Sequence, residues 1–293
     1  MAERVLLTGA TGFVGRQVVA PLLARGVELH AVSRGTPAPL AGIIWHRADL
    51  LADGAALIRE VRPALLVHGA WFVEHGRFWT APENALWLEA SDALARRFVE
   101  AGGRRILGIG SCAEYADTEA DDDAPWPEAR RIAPATPYGR AKAELSARLA
   151  RLPVAVAWAR LFHLFGPGEH PDRLVPSVAR ALAAGQPARL GSGRPVRDIA
   201  PTRFVGEALA ALALSNVTGP VNVASGEGRS VAEVARILAE AAGRPDLLRL
   251  GALPDRPGEV SRMVADVTRL RRELGFAQPP RVEEALRAIA CAA

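Results

Sequence analysis

The chain has 293 residues, 49% of them apolar and 23% charged, enough for a large folded body with a sizeable core. Of its 36 Lys and Arg residues all but one are arginine, and the exception is Lys142. The net charge is only +4 and no basic stripe interleaved with aromatics is visible, which argues against a nucleic-acid binder. The two cysteines, Cys112 and Cys291, have no paired spacing. That excludes a disulfide scaffold and a thiolate zinc site, and suits a reducing compartment. No metal centre is expected. No apolar run approaches about 18 residues, so no membrane span is expected. The N-terminus enters an apolar strand directly, without signal-peptide character, and the expected location is the cytoplasm.

In chain order, Val5–Thr8 reads as a strand and Phe13–Arg25 as a helix. Val27–Val32 and Ile43–Trp45 follow as strands, and Leu57–Val61 is part of a helix. Ala64–Val67 is a strand, Pro82–Glu100 a long helix and Arg105–Ile109 a strand. Pro137–Leu152 is helical and Val154–Leu161 a strand. Short apolar runs alternating with helical patterns predict parallel βαβ units, an α/β fold with a Rossmann-like, doubly wound parallel sheet. After Gly166-Pro167-Gly168 the rhythm changes, and helices over Leu174–Ala184, Phe204–Leu214 and Val231–Ala242 mix with short strands. The expected organisation is a dinucleotide-binding domain over 1–165 and a smaller substrate-binding lobe over 166–293. Part of 195–225 is expected to return to the first sheet.

The turn after the first strand reads Thr8-Gly9-Ala10-Thr11-Gly12-Phe13-Val14-Gly15. Gly9, Gly12 and Gly15 allow a tight turn, close approach of backbone to a pyrophosphate, and close packing of helix on sheet. The helix N-terminus adds free N–H groups for the phosphates. Thr11, Phe13 and Val14 lie in the same cradle. Asp49 and Leu50 after the third strand, and Gly69 and Ala70 after the fourth, are further cofactor candidates. Asp49 is equally a turn former. NAD sites usually place an acid at the end of the second strand, where this chain has Ser33 and Arg34. A serine and an arginine suit a 2′-phosphate, so NADP(H) is favoured over NAD(H). The plainer alternative for Arg34 is one more solvated arginine.

Tyr138 and Lys142 lie four residues apart, on one face of a helix. A phenol with a pKa of about 10 exchanges its proton poorly at neutral pH, and a neighbouring ammonium favours the phenolate. The broad guanidinium is a poor substitute. The lone lysine therefore marks this pair. Ser111 sits at the carboxyl end of the strand Arg105–Ile109, where a hydroxyl can hydrogen-bond a substrate carbonyl.

With these features together the chain resembles the extended short-chain dehydrogenase/reductases, the NAD-dependent epimerase/dehydratase family acting on nucleotide sugars. The resemblance implies that Ser111, Tyr138 and Lys142 are catalytic. It implies that Arg197 in Pro195-Val196-Arg197-Asp198 and Arg256 in Arg256-Pro257-Gly258-Glu259 hold a substrate diphosphate. Ordinary ion pairing is the alternative for both. It also implies a homodimer. Related 4,6-dehydratases follow the catalytic hydroxyl with Asp and Glu, where this chain has Cys112 and Ala113. Dehydration is thus disfavoured, and Glu114, one position on, is expected to point elsewhere. His163 stands where the family often has Asn, Phe165 where it often has Tyr, and Arg203-Phe204-Val205-Gly206 lacks an acidic pair usual there.

Trp71, Cys112, Ala113 and His163 are substrate-side candidates. Trp71-Phe72-Val73 and Phe78-Trp79 either meet the sugar or fill the core, and His68 and His75 have no partners visible in the sequence. The acidic stretch Glu119–Asp123 reads as a solvated loop, with a lid as the alternative.

The expected activity is NADPH-dependent reduction of a nucleotide-linked 4-keto-6-deoxyhexose. The alternatives are a nucleotide-sugar C4-epimerase with tightly held NAD, reduction of an apolar ketone, and a non-catalytic NADP(H)-binding protein.

Overall fold

The computed structural model describes residues 2–37, 40–118 and 123–292. Most of the acidic stretch 119–123 lies outside them. The first part runs β1 (Arg4–Thr8), α1 (Gly15–Leu23), β2 (Glu28–Ser33), β3 (Ile43–Arg47), α2 (Gly54–Val61), β4 (Leu65–His68), α3 (Glu83–Glu100), β5 (Arg105–Ser111), α4 (Pro137–Leu149) and β6 (Ala155–Leu161). Then come β7 (His163–Phe165), α5 (Leu174–Ala183), β8 (Ala188–Arg189), β9 (Val196–Pro201), α6 (Thr202–Ala213), β10 (Gly219–Val223), β11 (Gly228–Ser230), α7 (Val231–Ala241), β12 (Leu248–Arg249), β13 (Arg262–Met263) and α8 (Val282–Ala292).

Seven strands form one parallel sheet in the order β10-β6-β5-β4-β1-β2-β3. The chain winds outward from β1 in both directions, so a crevice opens at the carboxyl ends of β1 and β4. Val5, Leu6 and Leu7 of β1 are all fully buried, as helices on both faces require. β10 enters this sheet beside β6 although more than fifty residues separate them in sequence. Its preceding helix α6 meets α1 closely at Gly206, where a Cβ would stand 2.2 Å from the Gln17 carbonyl.

Several expected boundaries shift by one to three residues, two helix ends among them. The first helix begins at Gly15 rather than Phe13, because Thr11–Val14 are spent in the turn. The helix after Pro137 ends at Leu149, three residues early.

Beyond β6, a smaller sheet is organised around β9, which pairs with β7, β11 and β13. Helices α5, α7 and α8 enclose its own apolar cluster of Phe165, Val178, Leu182, Leu238 and Leu286. β8 and β12 form a short parallel pair. Among the described residues, no helix is long and apolar enough to cross a membrane, and no group of three or more His, Cys, Asp or Glu is placed to hold a metal.

Candidate active site

The glycine turn after β1 is built as a cradle. Gly9 has φ +76°, and a Cβ there would lie 2.8 Å from the Ala70 nitrogen. A Cβ on Gly15 would lie 2.0 Å from the Gly9 carbonyl oxygen, so α1 can start this close to the sheet only on glycine. Thr11 and Gly12 are exposed at the mouth, and the first turn of α1 has no side-chain cap. The N–H groups of Phe13, Val14 and Gly15 have no hydrogen-bond partner among the described residues and stay open to an anion. The Gly69 and Ala70 N–H groups donate to the Thr8 hydroxyl, each at 3.2 Å, which ties the β4 end to this turn. These residues fit the pyrophosphate of a dinucleotide.

At the far edge, Ser33 and Arg34 are placed at the end of β2, and Arg34 is exposed without a partner among the described residues. The parallel register sets Arg47, which the sequence reading passed over, directly beside Ser33. Asp49 accepts from the Leu51 N–H at 3.0 Å, so it does the work of a turn former here, and Leu50 is buried.

Ser111 ends β5 and caps a short helical turn, Cys112–Glu114, accepting from the Ala113 N–H at 3.2 Å. Glu114 turns inward and is fully buried. It accepts from the Ser111 N–H at 2.8 Å, from Trp158 Nε1 at 2.9 Å and from Arg160 Nε at 2.8 Å. The glycines of β5 make this possible. A Cβ at Gly108 or Gly110 would sit 2.3 or 2.2 Å from the Trp158 indole. Glu114 therefore does point elsewhere, and its task is to hold the backbone that presents Ser111. Cys112, expected on the substrate side, is instead packed in the core. Burial pushes its thiol up to about 12, so it stays neutral.

Thr136 caps α4 by accepting from the Gly139 N–H, and Pro137 opens the helix. This brings Tyr138 and Lys142 to one face beneath β5. Burial pushes the Tyr138 phenol above its usual value, against a smaller opposing influence of the Ser111 hydroxyl. Tyr138 is thus held protonated, the form that can donate a proton. The Lys142 ammonium stands 6.0 Å from the centroid of the Tyr138 ring. Lys142 is itself buried and is pushed down to about 7 by loss of hydration.

The loop after β4 closes over this pair. The Tyr138 N–H donates to the Trp79 carbonyl at 3.1 Å. Phe78 and Trp79 meet the Tyr138 ring edge-on at 5.0 and 5.7 Å between centroids. Trp71 departs from expectation. It is buried rather than aimed at a substrate, with its ring against Lys142 and its Nε1 donating to Asn84. His68 has partners after all, Thr8 at 2.9 Å and Ser91 at 2.8 Å. Burial drives it down to about 3, so it bridges β1, β4 and α3 as a neutral ring. His75 stacks on His170 at 4.1 Å.

On the lobe side, β9 presents Arg197, while Asp198 points to the opposite face as strand geometry requires. Asp198 is buried and accepts from Ser225, Gly226 and Ala265, anchoring the strand. Arg197 pairs with Glu259 at 2.8 Å. Glu259 belongs to the turn that also carries the exposed Arg256, so the two arginine motifs, far apart in sequence, meet here. His163 at the start of β7 is neutral, pushed down to about 3 by burial and by Arg197 and Arg173. Its buried Nε2 has no partner among the described residues. Ala113 is half-buried beside Ser111.

The fold and this arrangement define a class, the NAD(P)-dependent enzymes of the short-chain dehydrogenase/reductase type. Within it, the chain belongs to the NAD dependent epimerase/dehydratase family, whose model matches residues 5–224. It is 28% identical over 306 residues to a dTDP-6-deoxy-L-talose 4-dehydrogenase (NAD(P)(+)) of Kitasatospora kifunensis, covering 97% of this chain and 93% of that protein. It is also 28% identical, over 313 residues, to a dTDP-4-dehydro-6-deoxy-D-allose reductase of Streptomyces bikiniensis, covering 94% and 92%. Among solved structures, the UDP-glucose 4-epimerase of Thermus thermophilus in complex with NAD is similar, with a TM-score of 0.83 and 25% identity over 98% of both chains.

Proposed function

We propose that this protein is an NADPH-dependent reductase of a nucleotide-linked 4-keto-6-deoxyhexose. One observation carries the reading. Burial keeps the Tyr138 phenol protonated within the influence of the Ser111 hydroxyl, while the neighbouring acid that could remove water, Glu114, is locked onto Trp158 and Arg160. The two relatives named for 4-keto chemistry on 6-deoxy sugars support it.

When bound on the cradle Gly9–Gly15, a reduced nicotinamide supplies the hydride that converts a C4 carbonyl to an alcohol. The Ser111 hydroxyl donates a hydrogen bond to the carbonyl oxygen and holds it toward Tyr138. Tyr138 gives that oxygen its proton. Lys142, charged, steadies the phenolate left behind. Arg197 exchanges Glu259 for the substrate diphosphate, whose greater negative charge and several oxygens suit a bidentate guanidinium, and Arg256 joins it. Ser33 and Arg34 take the 2′-phosphate of NADPH. In this reading the cofactor lies on the seven-stranded sheet and the nucleotide sugar in the lobe beyond residue 165.

The test is NADPH and NADH oxidation with dTDP-, CDP- and GDP-linked 4-keto-6-deoxy sugars, for the native protein and for Tyr138→Phe. The expected result is turnover with NADPH, reduced about 10²- to 10⁴-fold in the variant. No oxidation with any of these sugars overturns the reading. Likeness to the Thermus epimerase supports a second reading, C4-epimerisation. Nicotinamide that co-purifies with the protein, and is never consumed, would mark it.

A further inference from the structure

Lys142 is held in an unusual way for a buried cation. An ammonium carries three donors. One goes to the Ile109 carbonyl at 2.9 Å. Against another side lies the face of Trp71, whose ring centroid is 3.9 Å from Nζ, well within the range of a cation–π contact. The carboxylate that favours the charge, Glu114, is already committed to Trp158 and Arg160.

The indole is fixed in turn. Trp71 Nε1 donates to Asn84 Oδ1 at 2.9 Å. The Asn84 amide donates to the Phe78 and Ala81 carbonyls at 2.7 and 2.9 Å, so its orientation is determined by three bonds. Asn84 and Trp71 are both buried. Their bonds also close the loop that carries Phe78 and Trp79 onto Tyr138.

We propose that Trp71 is the positioning residue of Lys142: its indole face, set by Asn84, clamps the ammonium against the Ile109 carbonyl, beside Tyr138. An indole offers a charged ammonium attraction without competing for its donors, so a donor is left for a bound ligand or for Tyr138. The contact favours the charged form, against the burial that pushes Lys142 down to about 7.

Other titratable groups lie around the ammonium on β4, on the turn after β5, and on α3 and α4. His68 on β4 is neutral above about 3. Glu114 after β5 is ion-paired with Arg160. Tyr138 on α4 and Cys112 are pushed up, out of the range. From α3, Asp92 turns to Arg96 and Arg148.

The chain's single lysine makes the test direct. Protein grown on lysine labelled with ¹³C at the ε carbon gives one ε-methylene NMR signal, that of Lys142. The expected signal is displaced upfield by the indole ring current and titrates near pH 7. In Trp71→Leu the displacement disappears and the midpoint falls by about one pH unit, a tenfold change in proton affinity. In Trp71→Phe, which keeps a weaker ring face, both changes are partial. If Trp71→Leu fails to fold, Asn84→Ala frees the indole and gives the same direction. A wild-type signal without displacement, or an unchanged midpoint in these variants, overturns the proposal.

The proposal rests on Lys142 belonging to the reaction site, but the NMR signal needs no turnover. A displaced signal in a protein that reduces no keto-sugar leaves the clamp standing and removes the reductase reading. With turnover, the limb of the pH profile that falls as Lys142 loses its proton moves to lower pH in Trp71→Leu by the same amount as the midpoint.

Discussion

The turn after β5 and the arginine face of β9 are built on opposite plans. At β5, every group that presents Ser111 is buried and paired, down to a carboxylate that no water reaches. At β9, Arg197 is mostly buried and held by the Glu259 carboxylate and the Val196 carbonyl, and Arg256 on the turn that carries Glu259 is exposed. The first plan fixes a geometry before any ligand arrives, which catalysis of proton transfer rewards. The second leaves cations with partners that a diphosphate can displace. On the proposed function, reaction chemistry and substrate choice are held at different stiffness in this chain.

Three substitutions press on that contrast. Glu114→Ala leaves the Arg160 guanidinium buried without its partner, and is expected to lower stability by about 3–5 kcal/mol. Urea unfolding measures it, and a loss below about 1 kcal/mol would mean that the β5 turn is held by something else. On the proposed function, Arg197→Ala removes an interaction made alike by bound substrate and transition state. KM for the nucleotide sugar should rise roughly 10- to 100-fold with kcat little changed. A fall in kcat alone would place Arg197 with the reaction chemistry and dissolve the contrast. Arg34→Ala should have the smallest effect, since the side chain is exposed and screened. KM for NADPH should rise about three- to tenfold while that for NADH stays put. Equal changes for both cofactors would return Arg34 to the solvated surface.

Much of the reaction side was legible before any coordinates. Gly9, Gly12 and Gly15 occur between an apolar strand and a helical pattern, and only a close backbone approach asks for glycine at that spacing. Tyr138 and Lys142 stood out because the four-residue spacing is local and because lysine occurs once. Trp71, by contrast, read as well for a sugar face as for a core, since an aromatic after a strand has no local partner to decide it. Asn84, thirteen residues on, decided it. Cys112 likewise follows a serine at a strand end, and only the packing of β5 against β6 shows that it points into the core.

By itself the sequence determined the alternation of strand and helix, the glycine cradle, and the pairing of Tyr138 with Lys142 on which the proposed reaction rests. These depend on spacing along the chain and on side-chain chemistry. The tertiary structure decided the direction in which burial moves those groups, the Tyr138 phenol up and the Lys142 ammonium down. It decided that Glu114 is an anchor, that Arg197 and the Arg256 turn converge, and that β10 returns to the first sheet. Each of these joins residues distant in sequence, and no local pattern encodes such a pairing. The lone lysine belongs to both accounts. Composition singled it out, and only the fold shows what surrounds it: a carbonyl on one side and an indole on another.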